Sequence, residues 1–74
     1  MVVHLKSQNV RGLGDFKKRR EIFHSFHLSK YEIFLLQETH SSLEHEIQWK
    51  NEWGGEIFFS HGSTNSRGVC ILLK

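Results

Sequence analysis

Two residues stand where a site would need them. Asn9 follows the stretch "VVHLKSQ", and Glu38 follows the apolar run "YEIFLLQ". In α/β proteins ligands bind just beyond strand ends, where loops gather polar groups. If the two stretches are neighbouring parallel strands, an amide and a carboxylate meet at one mouth of the sheet. A hard cation such as Mg²⁺ takes oxygen ligands, often one or two carboxylates with water and phosphate completing the set. A lone strand-end carboxylate is also an ordinary solvated charge. The residues by themselves leave both readings open.

Other chemistries find less support. There are six histidines. His24 and His27 sit three apart in a helical stretch, and His40 and His45 flank the next one. No partnering cysteine or HExxH pattern turns either pair into a zinc site. "RGLG", residues 11–14, lacks the lysine and the spacing of a phosphate-binding loop. No Ser-His-Asp arrangement can be assigned from chain order. The single cysteine, Cys70, lies in an apolar run, forms no disulfide within the chain and reads as a small core residue. Lys17, Lys18, Arg19 and Arg20 form one basic run. It reads first as the solvated start of a helix, with phosphate contact as the alternative. The net charge is only +2, low for a dedicated nucleic-acid module.

The elements that would position these residues follow from periodicity. Residues 2–10 read as a strand of imperfect alternation, closed by the glycines of "RGLG". Residues 15–28 read as an amphipathic helix with Asp15 as its N-cap and Phe16, Ile22, Phe23 and Phe26 near one stripe. Residues 31–36 are a short β-rich strand. Residues 41–55 read as a second helix, capped by Ser41 or Ser42 and ended by Gly54 and Gly55. In it Leu43 and Ile47 share one face, Trp49 and Trp53 another. "EIFFSH" is a third strand, "GSTNSRG" a polar turn and "VCILLK" a fourth strand, the last two joined as an antiparallel hairpin. The order β-α-β-α-β-β predicts an α/β layered fold with helices packed on a sheet.

"VCILL" is apolar at every position, and such a strand needs cover on both faces. Two helices supply little of it, and four strands leave open edges. A chain of 74 residues buries only roughly 60% of its unfolded surface. The expectation is that residues 1–74 are the N-terminal portion of one larger, truncated domain. The first residues lack a signal-peptide run, and no segment approaches the ~20 apolar residues that span a bilayer. A reduced, intracellular protein, inside the nucleus or outside it, with no membrane partner is expected.

"SQNVRGLG" (residues 7–14), "LLQETH" (residues 35–40) and "SRGVCILL" (residues 66–73) come in the order and approximate spacing of a known family. The chain resembles the endonuclease/exonuclease/phosphatase family, which includes the exonuclease III-like apurinic endonucleases. Within it the chain looks most like the endonuclease domain of LINE-type (non-LTR) retrotransposons. Trp49, Gly54–Gly55, Ser60–Gly62 and Arg67–Val69 extend the likeness over nearly the whole chain.

The resemblance implies a four-layer α/β sandwich with two facing sheets. It implies that Glu38 binds Mg²⁺ or Mn²⁺, that Asn9 supports the same catalytic site, and that DNA is the partner of the complete domain. Arg11, Arg19, Arg20 and His40 become candidate contacts to DNA. The family's water-activating aspartate and its histidine–aspartate pair belong to later parts of its sequence and have no match here. The chain alone is therefore expected to be inactive. Two alternatives remain beside this reading: a vestigial or partner-binding protein, and a member of the family's phosphatase or deadenylase branches. Lys6 and Gln8 depart from the apolar pattern usual for the family's first strand and weaken its burial.

Overall fold

Strand pairing is set by the alternation of buried and exposed residues. The computed structural model describes residues 2–63 and 67–74. It contains β1 (Leu5–Asn9), α1 (Phe16–Leu28), β2 (Ile33–Gln37), a 3₁₀ turn (Leu43–His45), α2 (Glu46–Trp53), β3 (Glu56–Ser60) and β4 (Val69–Leu73). This is the α/β order that the periodicity predicts. The turn predicted at "GSTNSRG" falls partly on residues 64–66, outside the described residues.

The sheet runs β1-β2-β4-β3. β1 and β2 are parallel, with Asn9 opposite Gln37. β4 is antiparallel to both β2 and β3. The last two strands thus pair as expected, but β4 slots between β3 and β2. The most apolar strand takes a central position, where its backbone is paired on both sides.

Period-2 geometry then sorts the residues by face. Phe34, Leu36, Cys70, Leu72 and Ile57 point to one face and are buried there. Phe23 and Phe26 of α1 and Trp49 and Trp53 of α2 cover them. Phe26 stacks on Phe34 with ring centroids 4.1 Å apart, and Trp53 meets Phe34 edge-on at 5.8 Å. The Trp53 indole N–H also donates to the Leu73 carbonyl (2.9 Å), tying helix to sheet. The second face of β4 is uncovered: Val69 and Ile71 are exposed, together with Leu5 and Phe58. Double cover, expected from "VCILL", is met on one face. On β1 no residue is fully buried. Lys6 compensates in part by laying its ammonium near the Phe26 and Tyr31 rings (6.0 and 5.7 Å to the centroids).

The local signals hold with three adjustments. Asp15 caps α1, its carboxylate accepting from the Lys18 N–H at 3.0 Å. Gly54 ends α2 in the left-handed region, at φ 80°. The first strand begins at Leu5 rather than Val2; Val2 and Val3 are exposed. The predicted second helix is split, because Ser42 and His45 close a 3₁₀ turn first. The Ser42 N–H donates to the His45 ring nitrogen (3.2 Å), and the His45 N–H donates to the Ser42 carbonyl (3.0 Å). Phe16 leaves the core stripe: it is exposed and lies against the Arg19 guanidinium (5.5 Å), which takes the inward place at that end of α1.

Candidate functional site

Parallel pairing of β1 and β2 brings their carboxyl ends to one edge of the sheet, and the loops beyond stay laced together. The Val10, Gly12 and Leu13 N–H groups donate in turn to the carbonyls of Gln37, Glu38 and Thr39 (3.0, 2.6 and 3.0 Å). From the other side, the Thr39 and His40 N–H groups donate to the carbonyls of Gly68 and Arg67 (3.2 and 2.8 Å). Glu38 is thereby held between the segment after β1 and the segment before β4.

Its side chain meets a donor from each. The Asn9 side-chain amide donates to Oε2 of Glu38. Arg67 Nη1 donates to Oε1 at 2.8 Å. The Asn9 hydrogen bond, and after it the Arg67 hydrogen bond, hold the Glu38 carboxyl below the usual glutamate range. The Asn9 oxygen accepts from the Arg11 N–H (3.0 Å), which fixes the amide's orientation. Lys18 completes the support by donating Nζ to the Val10 and Arg11 carbonyls (2.6 and 3.3 Å).

The backbone is unusual at this edge. Arg11, Glu38 and His40 are the non-glycine residues with positive φ among those described, at 51°, 55° and 54°. That conformation is costly for side-chain-bearing residues and tends to cluster at functional sites. All three were singled out from sequence, on other grounds.

The remaining candidates divide. Arg11 and His40 stand at this edge and are exposed. Arg20 is exposed on α1, where it lines a groove of about 600 Å³ with Phe16, Lys17 and His24, separate from Glu38. Arg19, by contrast, is engaged within the chain. It is buried, donating Nε and Nη2 to the Glu52 carboxylate (2.5 and 2.9 Å) and Nη1 to the Leu13 carbonyl (2.8 Å). Arg19 lies four and seven residues before Phe23 and Phe26, so helical spacing places it on their buried stripe. That spacing was the available signal. The Arg19 guanidinium holds the Glu52 carboxyl below its usual range.

A second polar cluster joins Ser41, His61 and Glu46. Ser41 Oγ lies 2.8 Å from His61 Nδ1, and His61 Nε2 lies 2.6 Å from Glu46 Oε2. This is a serine–histidine–carboxylate chain, but Ser41 is only 7% exposed, so its hydroxyl has almost no open approach for a substrate. The chain instead joins the loop after β2, the start of α2 and the end of β3. Nothing in the spacing of residues 41, 46 and 61 announces it. Nearby, burial pushes the Cys70 thiol up, in keeping with a core residue.

The donor set can be tested against a divalent cation. Among the described residues no three His, Cys, Asp or Glu side chains converge. The set offers one ionised carboxylate; the amide beside it turns its nitrogen to that carboxylate and its oxygen to the Arg11 N–H. The set fits a cation that keeps most of its water and takes a single protein carboxylate, as Mg²⁺ often does. It does not fit a cage built wholly of these residues.

No family model matches the chain, and no solved structure matches it. Across its full 74 residues it is 31% identical to the "Transposon TX1 uncharacterized 149 kDa protein" of Xenopus laevis, of which it spans 6%. The chain is similar over its whole length to a small part of a transposon protein.

Proposed function

We propose that this chain supplies the Glu38 end of a divalent-cation-dependent phosphodiesterase site acting on DNA, of the LINE-type retrotransposon class. The observation that supports it best is the meeting of Asn9 and Glu38 beyond two parallel strands, with the carboxylate held ionised. Similarity to a transposon protein agrees with it. Glu38 would hold Mg²⁺ or Mn²⁺, and Asn9 would fix the carboxylate's orientation. The cation, when bound, would stabilise charge on the phosphodiester. Arg11 and His40, exposed beside Glu38, would meet the DNA backbone.

Such catalysis works through positioned groups acting together, and one carboxylate is too few. The 74-residue chain alone should therefore leave supercoiled plasmid intact in Mg²⁺. Grafted in place of the matching segment of a retrotransposon endonuclease first shown to nick plasmid, it should support nicking, and Glu38→Ala should abolish that nicking. A chimera that nicks equally well with Glu38→Ala would remove the metal role from Glu38.

The uncovered apolar face, with Leu5, Phe58, Val69 and Ile71 exposed, favours a second reading in which the chain binds a partner without catalysing anything. A chimera that folds but never nicks would favour it.

A further inference from the structure

Arg67 has a fixed root and a free arm. Its carbonyl accepts from the His40 N–H (2.8 Å), so its backbone is locked to the loop that carries Glu38. Its side chain is 68% exposed and reaches Glu38 through one nitrogen, Nη1, at 2.8 Å. With Asn9 on Oε2 and Arg67 on Oε1, both carboxylate oxygens already have a donor. A divalent cation joining the same carboxylate would stand beside a guanidinium of like charge, in a contact short enough for strong repulsion. The Arg67 contact, made by an exposed side chain, is the one that can give way.

We propose that Arg67 is a placeholder on Glu38 that exchanges with the divalent cation and, once displaced, binds the phosphate ester. This rests on the metal reading of Glu38 given above. In the cation-free state Arg67 keeps the carboxylate aimed. A cation held by this carboxylate would free the guanidinium to swing from its fixed backbone. Its planar fork is suited to two phosphate oxygens at once, which a lysine could not match. Arg67 is in this sense a positioning residue before it is a substrate contact.

The test is Mn²⁺ titration of the full chain, followed by paramagnetic broadening of its backbone amide NMR signals. Wild type should broaden around Glu38, and Arg67→Ala should do so at about tenfold lower Mn²⁺. Arg67→Lys should fall between them, and Glu38→Gln should lose the broadening in either background. Unshifted amide signals from Phe34 and Leu36 would show that each variant keeps its fold. Equal or weaker Mn²⁺ binding by Arg67→Ala, with dependence on Glu38 retained, overturns the exchange and leaves the metal site standing. Broadening that ignores Glu38 in all variants overturns both. With Mg²⁺ saturating, dimethyl phosphate should shift the Arg67 Nε–H signal of the wild type. No shift overturns the phosphate half of the proposal.

Discussion

Arg19 meets Glu52 through two nitrogens, whereas Arg67 meets Glu38 through one. The first guanidinium is 3% exposed and the second 68%. Arg19 also donates to the Leu13 carbonyl and lies over the Trp49 ring (5.2 Å), so most of its surface is committed. Arg67 makes its side-chain bond at the rim of the sheet, on a carboxylate whose own backbone sits at φ 55°. Both arginines depress the pKa of their carboxylate, but only one pair is enclosed. A buried arginine fork is a fastener, because removing either partner strands a charge. An exposed single contact can open at little cost. Alike as residue pairs, the two differ in what they can do.

The largest way to break this contrast is to delete each arginine. Arg19→Ala should cost roughly 3 kcal/mol in urea unfolding, because it removes a buried side chain together with its two bonds to Glu52 and its bond to the Leu13 carbonyl. Arg67→Ala should cost far less, within the scatter of an exposed ion pair. Equal losses would erase the distinction between fastener and latch.

The root of Arg67 comes next. Gly68 has φ 78°, and a Cβ there would lie 3.1 Å from both Thr39 Oγ1 and the Gly62 nitrogen. Gly68→Ala should therefore destabilise the fold by about 1–3 kcal/mol, more than loss of the Arg67 side chain itself. A neutral Gly68→Ala would mean that the arm is not rooted as described.

A third prediction concerns acid. Glu38 has its pKa depressed in the fold, so its pairing stabilises above the ordinary glutamate value of about 4.3 and is lost as pH falls through the lower folded value. Asn9→Ala should raise the Glu38 midpoint, seen by carboxyl carbon NMR, further than Arg67→Ala does, since the Asn9 bond is the larger cause. The reverse order would make Arg67 the chief holder of the charge.

The smallest effect is expected at His40, exposed and at φ 54°. Glycine adopts that conformation without steric penalty. His40→Gly should gain about 0.5 kcal/mol in the same unfolding experiment. A loss would show that the imidazole packs in a way its exposure hides.

The proximity of Asn9 and Glu38 was legible in sequence because a strand–helix–strand unit makes its strands parallel, and parallel neighbours end together. Asp15, Gly54 and the four strands were legible from capping and alternation. Arg67 as a partner of Glu38 was not. It depends on β4 entering between β2 and β3, and hairpin pairing of the last two strands says nothing about which of them adjoins β2. The burial of Arg19 was hidden for a different reason. A run of four basic residues reads as one solvated patch, yet helical geometry turns each neighbour by about 100°. Lys17 and Arg20 face outward, while Lys18 and Arg19 fold back to hold the loop after β1. The Ser41–His61–Glu46 chain joins three separate elements, and only the tertiary packing could reveal it.

The positive φ values of Arg11, Glu38 and His40 turn three codons into a gauge of selection. Glycine or asparagine at any of them would ease the backbone, so selection for folding alone favours their replacement. Only a demand on the side chains themselves opposes that drift. Among relatives of this sequence, those still selected for chemistry should retain arginine, glutamate and histidine there. Those maintained only as folded protein should lose them first, well before Phe34, Trp53 or Leu72 change.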